Sequence, residues 1–168
     1  METLRRATNS TYPLFSLSGK LFKGKIVNVY DADTCKIVLD RGNDKLHKFC
    51  CRLMGIDTPE MKPSRSNANR DAEKEAAFRA RNRFIQVATS CQIDLDDRSK
   101  RSALQTLIDT NEKIIDIQCL EFDKYGRLLV NLFENMEEAS IGNSYNNLLI
   151  SEGYAYAYDG GTKKKFKQ

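Results

Sequence analysis

Residues 25–40 read KIVNVYDADTCKIVLD. Two β-branched runs stand on either side of an acidic break at Asp31 to Asp33, the pattern of a strand, a tight turn and a second strand. Asp40, Arg41, Gly42, Asn43 and Asp44 follow as another turn cluster, and KLHKFCCRLMGI (45–56) alternates well enough to be the third strand of a meander. Next, MKPSRSNANR (61–70) is a polar loop. It leads into a helix whose apolar positions, Ala72, Ala76, Ala77, Ala80, Phe84, Ile85 and Ala88, recur at spacings of three and four and so share one face. Asn69 is a suitable cap, and Asp71, Glu73 and Glu75 lie where the helix dipole favours negative charge. From about residue 90 to 113 the text is charged with one short apolar cluster, and an inserted loop with a single helical turn is expected. IIDIQCLEF (114–122) and RLLVNLF (127–133) are two further strands about the turn Asp123 to Gly126, where glycine permits a positive φ. Asn143 or Ser144 then caps a short helix through Leu148, Leu149 and Ile150, which Gly153 ends.

The order is three strands, a helix, two strands and a short helix. It predicts an α+β, mainly β fold: a five-stranded Greek-key barrel of OB type, with a helix between strands 3 and 4 and a short helix after strand 5. At 168 residues, 40% hydrophobic and 30% charged, the chain has material for one core. The expected division is an extension over 1–22, one domain over 23–160 carrying the insertion at about 90–113, and a basic tail over 161–168. With 9 glycines, 3 prolines and no run of eighteen apolar residues, collagenous and membrane-spanning classes are excluded. The first 25 residues contain no apolar stretch of the length an export leader needs, so a cytoplasmic or other intracellular location is expected. Cys35, Cys50, Cys51, Cys91 and Cys119 are an odd number without CxxC spacing, which predicts free thiols that mostly pack as small hydrophobes. The only histidine, His47, sits in a strand without a partner pattern and is expected to be structural. A net charge of +4, with lysines and arginines gathered at both ends, makes contact with a polyanion plausible without demonstrating it.

Three short segments bring charge to strand ends: DADT at 31–34, RLMGIDTPE at 52–60 and DKYGR at 123–127. Together, in this order and with these connecting elements, they resemble the signature segments of the staphylococcal nuclease family, from about Lys23 to Tyr158. The family's pattern differs in two ways: the stretch around 90–113 is longer here, and after KKKFKQ the family continues into a further helix on the barrel.

Hydrolysis of a phosphodiester needs fixed positive charge around the phosphate and a carboxylate that takes a proton from water. Asp33 and Asp57, with a backbone carbonyl near Thr58, offer hard oxygen ligands for calcium, and the resemblance implies that these acids are its ligands. Glu60, three residues on and beyond the stiffening Pro59, is the candidate general base. Arg52 and Arg127 match the family's phosphate-clamping arginines, whose planar forks suit two phosphate oxygens. Lys124, Tyr125 and Tyr158 are candidate contacts to a terminal phosphate and to bases, although the Tyr–Ala alternation of GYAYAYDGG (153–161) also suits a half-buried strand. The resemblance thus implies a calcium-dependent endo- or exonuclease acting on DNA, with RNA as a further substrate class, that leaves 3′-phosphate ends. A monomer without membrane association is expected. The competing reading is a non-catalytic module that binds nucleic acid or protein.

Overall fold

The computed structural model describes residues 1–43, 45–135, 137 and 141–161. Its barrel strands are β1 (Leu21–Val29), β2 (Thr34–Asp40), β3 (Leu46–Leu53), β5 (Ile115–Phe122) and β6 (Leu128–Phe133). They close in the order β1-β2-β3-β6-β5, with β5 returning to β1. Every pairing is antiparallel except that of β3 with β6. This is the expected α+β barrel of OB type. A short ladder of β4 (Ile56–Asp57) with β7 (Tyr156–Ala157) lies beside it, so only two residues of the Tyr–Ala alternation form a strand.

Alternation in each strand sends one face inward. Ile26, Ile37, Leu39, Leu53, Ile115, Ile117, Leu128, Val130 and Leu132 are all essentially inaccessible. Helix α2 (Arg70–Ala88) closes one side of this core with Ala80, Phe84, Ile85 and Ala88, the stripe expected from its spacing. Helix α4 (Tyr145–Ser151) starts at Ser144, whose hydroxyl accepts the Asn147 N–H, and ends before Gly153 at φ 80°. Gly126 likewise takes φ 78° in the turn before β6. Among the described residues, no helix is long and apolar enough to cross a membrane.

Three features depart from the expectations. The Asn69 side chain makes no capping bond; its carbonyl instead accepts the Glu73 N–H. The barrel begins at Leu21, and Leu17 is already buried in the core, while a short helix α1 (Glu2–Arg5) precedes both. The insertion is not a loop with one turn, because it contains a nine-residue helix, α3 (Arg101–Asp109), with Leu104 and Ile108 buried. Side-chain amides supply what the local text conceals. Asn111 donates to the Ile26 carbonyl (3.2 Å) and accepts from the Ser90 and Lys113 N–H groups, which pins both ends of the insertion to β1. Gln105 donates to the Val27 carbonyl (2.9 Å), where the β1–β2 register shifts. Asn82, wholly buried on α2, donates to the carbonyls of Asp94, Leu95 and Asp97. Of the expected basic tail, residues 162–168 lie outside the described residues.

All five cysteines are free, and only Cys50 is exposed. Burial pushes the Cys35 and Cys51 thiols well above their usual range and Cys119 up to about 11. Native protein treated with a thiol reagent should therefore label at Cys50 alone, with the other four reacting only after unfolding; rapid labelling of a second thiol would contradict this packing. Gly24 faces the barrel interior, where an added Cβ would lie 2.4 Å from Ile117 Cδ1 and 2.9 Å from the Val38 carbonyl oxygen. The backbone contact cannot be relieved by a rotamer change, so Gly24→Ala should lower stability by about 1–3 kcal/mol in urea denaturation.

Candidate active site

The turn between β1 and β2 places Asp33 at the mouth of the barrel, and β2–β3 pairing sets the next residue, Thr34, opposite Arg52. The Asp33 carboxylate, only 5% exposed, is thereby brought to the Arg52 guanidinium at 2.7 Å. The second Arg52 nitrogen lies 3.3 Å from Asp57, whose side chain is fully buried, and also donates to the Ile56 carbonyl (3.2 Å). One guanidinium thus joins two carboxylates from separate turns. The Thr34 and Thr58 hydroxyls donate to the two oxygens of Asp33 (2.8 and 3.3 Å). Burial alone would lower the Arg52 pKa, but Asp33 and Asp57 outweigh it and hold the group above its ordinary value. Asp31 accepts the Asp33 N–H; burial first, and the Asp33 charge second, push its carboxyl up to about 7.

Glu60 is exposed and comes to the same place by a different device. Its N–H donates to a carboxylate oxygen of Glu73 (3.2 Å), whose other oxygen accepts from the Asn67 side chain (2.5 Å). Glu73 is buried in the first turn of α2 and ties the loop carrying Glu60 to the helix. Its position in the sequence matched a simple dipole interaction, and no local pattern distinguished it as a tether. Asn146 is a second such residue: its side-chain amide reaches the carbonyls of Met54 (2.9 Å) and Val130 (3.0 Å), holding the turn after Arg52 against β6 and α4.

Asp33, Arg52, Thr58, Glu60 and Arg127 line one cavity of about 210 Å³. Asp57 joins through Arg52 from behind and does not itself line the cavity. The Arg127 guanidinium is oriented by Asp123, to which its Nε and one terminal nitrogen both donate at 2.7 Å. Burial would raise the Asp123 pKa, but hydrogen bonds from the Arg127 and Tyr125 N–H groups and from the Arg127 side chain hold it below the ordinary value. A second cavity of about 640 Å³ shares Arg52 and Arg127 with the first and adds Lys124, Tyr125 and Tyr158. Arg52 lies over the Tyr158 ring (5.9 Å), and Arg127 over that of Tyr125 (5.5 Å). All nine predicted site residues therefore gather in or directly behind two adjoining cavities. His47 is exposed on the barrel, away from both.

The donor set agrees with a hard cation in kind, since Asp33 and Asp57 offer carboxylate oxygens and Thr58 sits beside them. It forms a partial shell only. Among the described residues, no three His, Cys, Asp or Glu side chains gather closely enough to hold a metal by themselves. Removing Arg52 would leave two buried carboxylates without their common cation. Arg52→Met should therefore cost about 3–5 kcal/mol in urea denaturation, and a loss below about 1 kcal/mol would show that the pair contributes little.

No curated protein matches the chain significantly. A family profile described as staphylococcal nuclease homologue matches residues 50–168, from within β3 onward. Arg52, Asp57, Thr58, Glu60, Lys124, Tyr125, Arg127 and Tyr158 fall inside that span, while Asp33 lies ahead of it and joins the cluster through the β2–β3 pairing. With the match covering most of the chain and the closed barrel carrying the charged cluster at its mouth, this protein belongs to the staphylococcal nuclease homologue family.

Proposed function

We propose that this protein is a calcium-dependent nuclease that hydrolyses phosphodiester bonds of DNA, and of RNA as a further substrate, leaving 3′-phosphate ends. The family includes nucleases, and its domains bind nucleic acids. The observation that carries the reading is the single cavity of about 210 Å³ lined by Asp33, Arg52, Glu60 and Arg127, which brings their two carboxylates and two guanidiniums around one space.

Asp33, Asp57 and Thr58 would hold the calcium ion, which when bound supplies positive charge to the phosphate oxygens. Arg52 and Arg127 bind the scissile phosphate, with Arg127 kept in place by Asp123. Glu60, steadied by its backbone bond to Glu73, takes a proton from the attacking water as the water oxygen bonds to phosphorus. The bond from phosphorus to the 5′ oxygen breaks, and the arginines stabilise the charge that develops on the departing side. The leaving oxygen then takes up a proton, giving a 5′-hydroxyl and a 3′-phosphate. Lys124, Tyr125 and Tyr158 hold the neighbouring nucleotide in the larger cavity.

One observation favours a second reading, a non-catalytic binding module: Arg52 already occupies both carboxylates assigned to calcium. The two readings separate in one assay. Purified protein should degrade denatured DNA with calcium and stop on chelation, and Glu60→Gln or Arg127→Ala should lower turnover by about a hundredfold or more while the fold persists. Cleavage that continues in chelator would remove the metal assignment. Absence of any cleavage, with DNA binding retained, would establish the module instead.

A further inference from the structure

The inserted segment does more than lengthen the chain. Where it packs on α2 it opens a third cavity, of about 490 Å³, in which seven of thirteen lining residues are lysine or arginine and none is acidic. Such a concentration is unusual for a solvated face, where opposite charges normally alternate. Some of the charge is internally matched: Arg98 pairs with Glu75 and lies 3.8 Å from Asp96, and the buried Arg81 is bonded to Asn82 and to the Asp97 carbonyl. Lys62, Lys74, Lys100 and Arg101 form no ion pair among the described residues, and all four are exposed.

Two aromatic rings are set among these cations. Phe78 has Lys74, Arg81 and Arg98 about its ring at 5.8, 4.9 and 5.3 Å. Tyr30, 40% exposed, carries the Arg101 guanidinium at 5.3 Å. Tyr30 also lines the small cavity that contains Asp33 and Glu60, so the basic cleft adjoins the candidate active site across one ring. Cations that track a backbone, beside aromatic faces that can receive bases, are what a single strand of nucleic acid requires. The α2 and insertion contacts made by Asn82 hold the two walls together, so the cleft is built into the fold.

We propose that the cleft between α2 and the inserted segment is a second nucleic-acid contact, binding phosphates of a single strand that extends past Tyr30 from the candidate active site. The proposal rests on the nucleic-acid reading above and adds to it a binding surface formed by this chain's own insertion. An acidic protein segment would satisfy the charge equally well, but it would have no need of a neighbouring cavity built around Asp33, Arg52 and Arg127.

The test uses the whole protein in chelator, with fluorescein-labelled oligothymidylates of 3 and 20 nucleotides read by anisotropy across a salt series. Lys62→Ala, Lys74→Ala and Lys100→Ala are combined in one variant, because none of the three side chains forms an ion pair that the fold uses. The variant should bind the 20-mer at least tenfold more weakly, with the slope of log affinity against log salt reduced by about 2, as expected for three lost single-strand phosphate contacts. Binding of the 3-mer should change less than twofold. An unchanged affinity and slope for the 20-mer would overturn the proposal, as would wild-type protein binding polyglutamate of equal charge more tightly than the 20-mer. If the protein cleaves nothing but the variant still loses the 20-mer, the cleft stands and the hydrolytic reading fails. If cleavage is intact and 20-mer binding is unaltered, the cleft alone fails.

Discussion

Arg52 leaves β3 with its guanidinium between Asp33 of the β1–β2 turn and Asp57 of the following turn, at 2.7 and 3.3 Å. Two carboxylates this close and this buried would repel one another and lose solvation together, so neither turn could adopt its geometry alone. The shared cation makes their approach possible, with Asp33 at the barrel mouth and Asp57 behind Arg52. Thr58 is tied directly to this knot through Asp33, while Glu60 is held beside it through Glu73 and Arg127 through Asp123. A structural ion pair and the centre of the candidate site thus share the same atoms. Among the described residues no three His, Cys, Asp or Glu side chains form a metal cage by themselves, and these two carboxylates already serve a cation belonging to the protein.

Away from the knot, irregular segments are held by buried amides instead of by hydrophobic contact alone. Asn82 satisfies three loop carbonyls, Asn111 two loop N–H groups together with the Ile26 carbonyl of β1, and Asn146 the Met54 carbonyl of a turn together with the Val130 carbonyl of β6. A loop carried over a barrel leaves carbonyls that water cannot reach, and a side-chain amide with both donors and an acceptor is suited to satisfying them. The consequence extends to the candidate site. Asn146 steadies the turn after Arg52, and Asn82 fixes the wall of the basic cleft, so sites composed of loop residues rest on rigid supports.

Much of the architecture was legible because its signals are local. Period-two runs marked β1, β2, β3, β5 and β6, and a stripe at spacings of three and four marked α2. Glycine at 126 and 153 marked a turn and a helix end that do require positive φ. The helix in the insertion was harder to read, since its apolar positions are few and charged text surrounds them; it gains stability by docking Gln105 and Leu104 on β1 and the core. The cap at Asn69 failed for a related reason. Its side chain had a suitable identity, but the loop before α2 is organised by Glu73, a carboxylate whose partners lie 13 and 6 residues away.

From residue types and short motifs alone came the barrel class, the family resemblance and the nine candidate site residues, because turn chemistry, periodicity and motif spacing act over a few residues. Tertiary closure determined what those residues touch. It set Asp57 behind Arg52, turned Arg127 onto Asp123, gave Glu73 its role as a tether, and gathered Lys62, Lys74, Lys100 and Arg101 beside Tyr30. Side chains tens of residues apart acquire a mutual distance only when strands pair and the insertion docks, and it is that distance, through charge and desolvation, that converts a list of ionisable groups into a site.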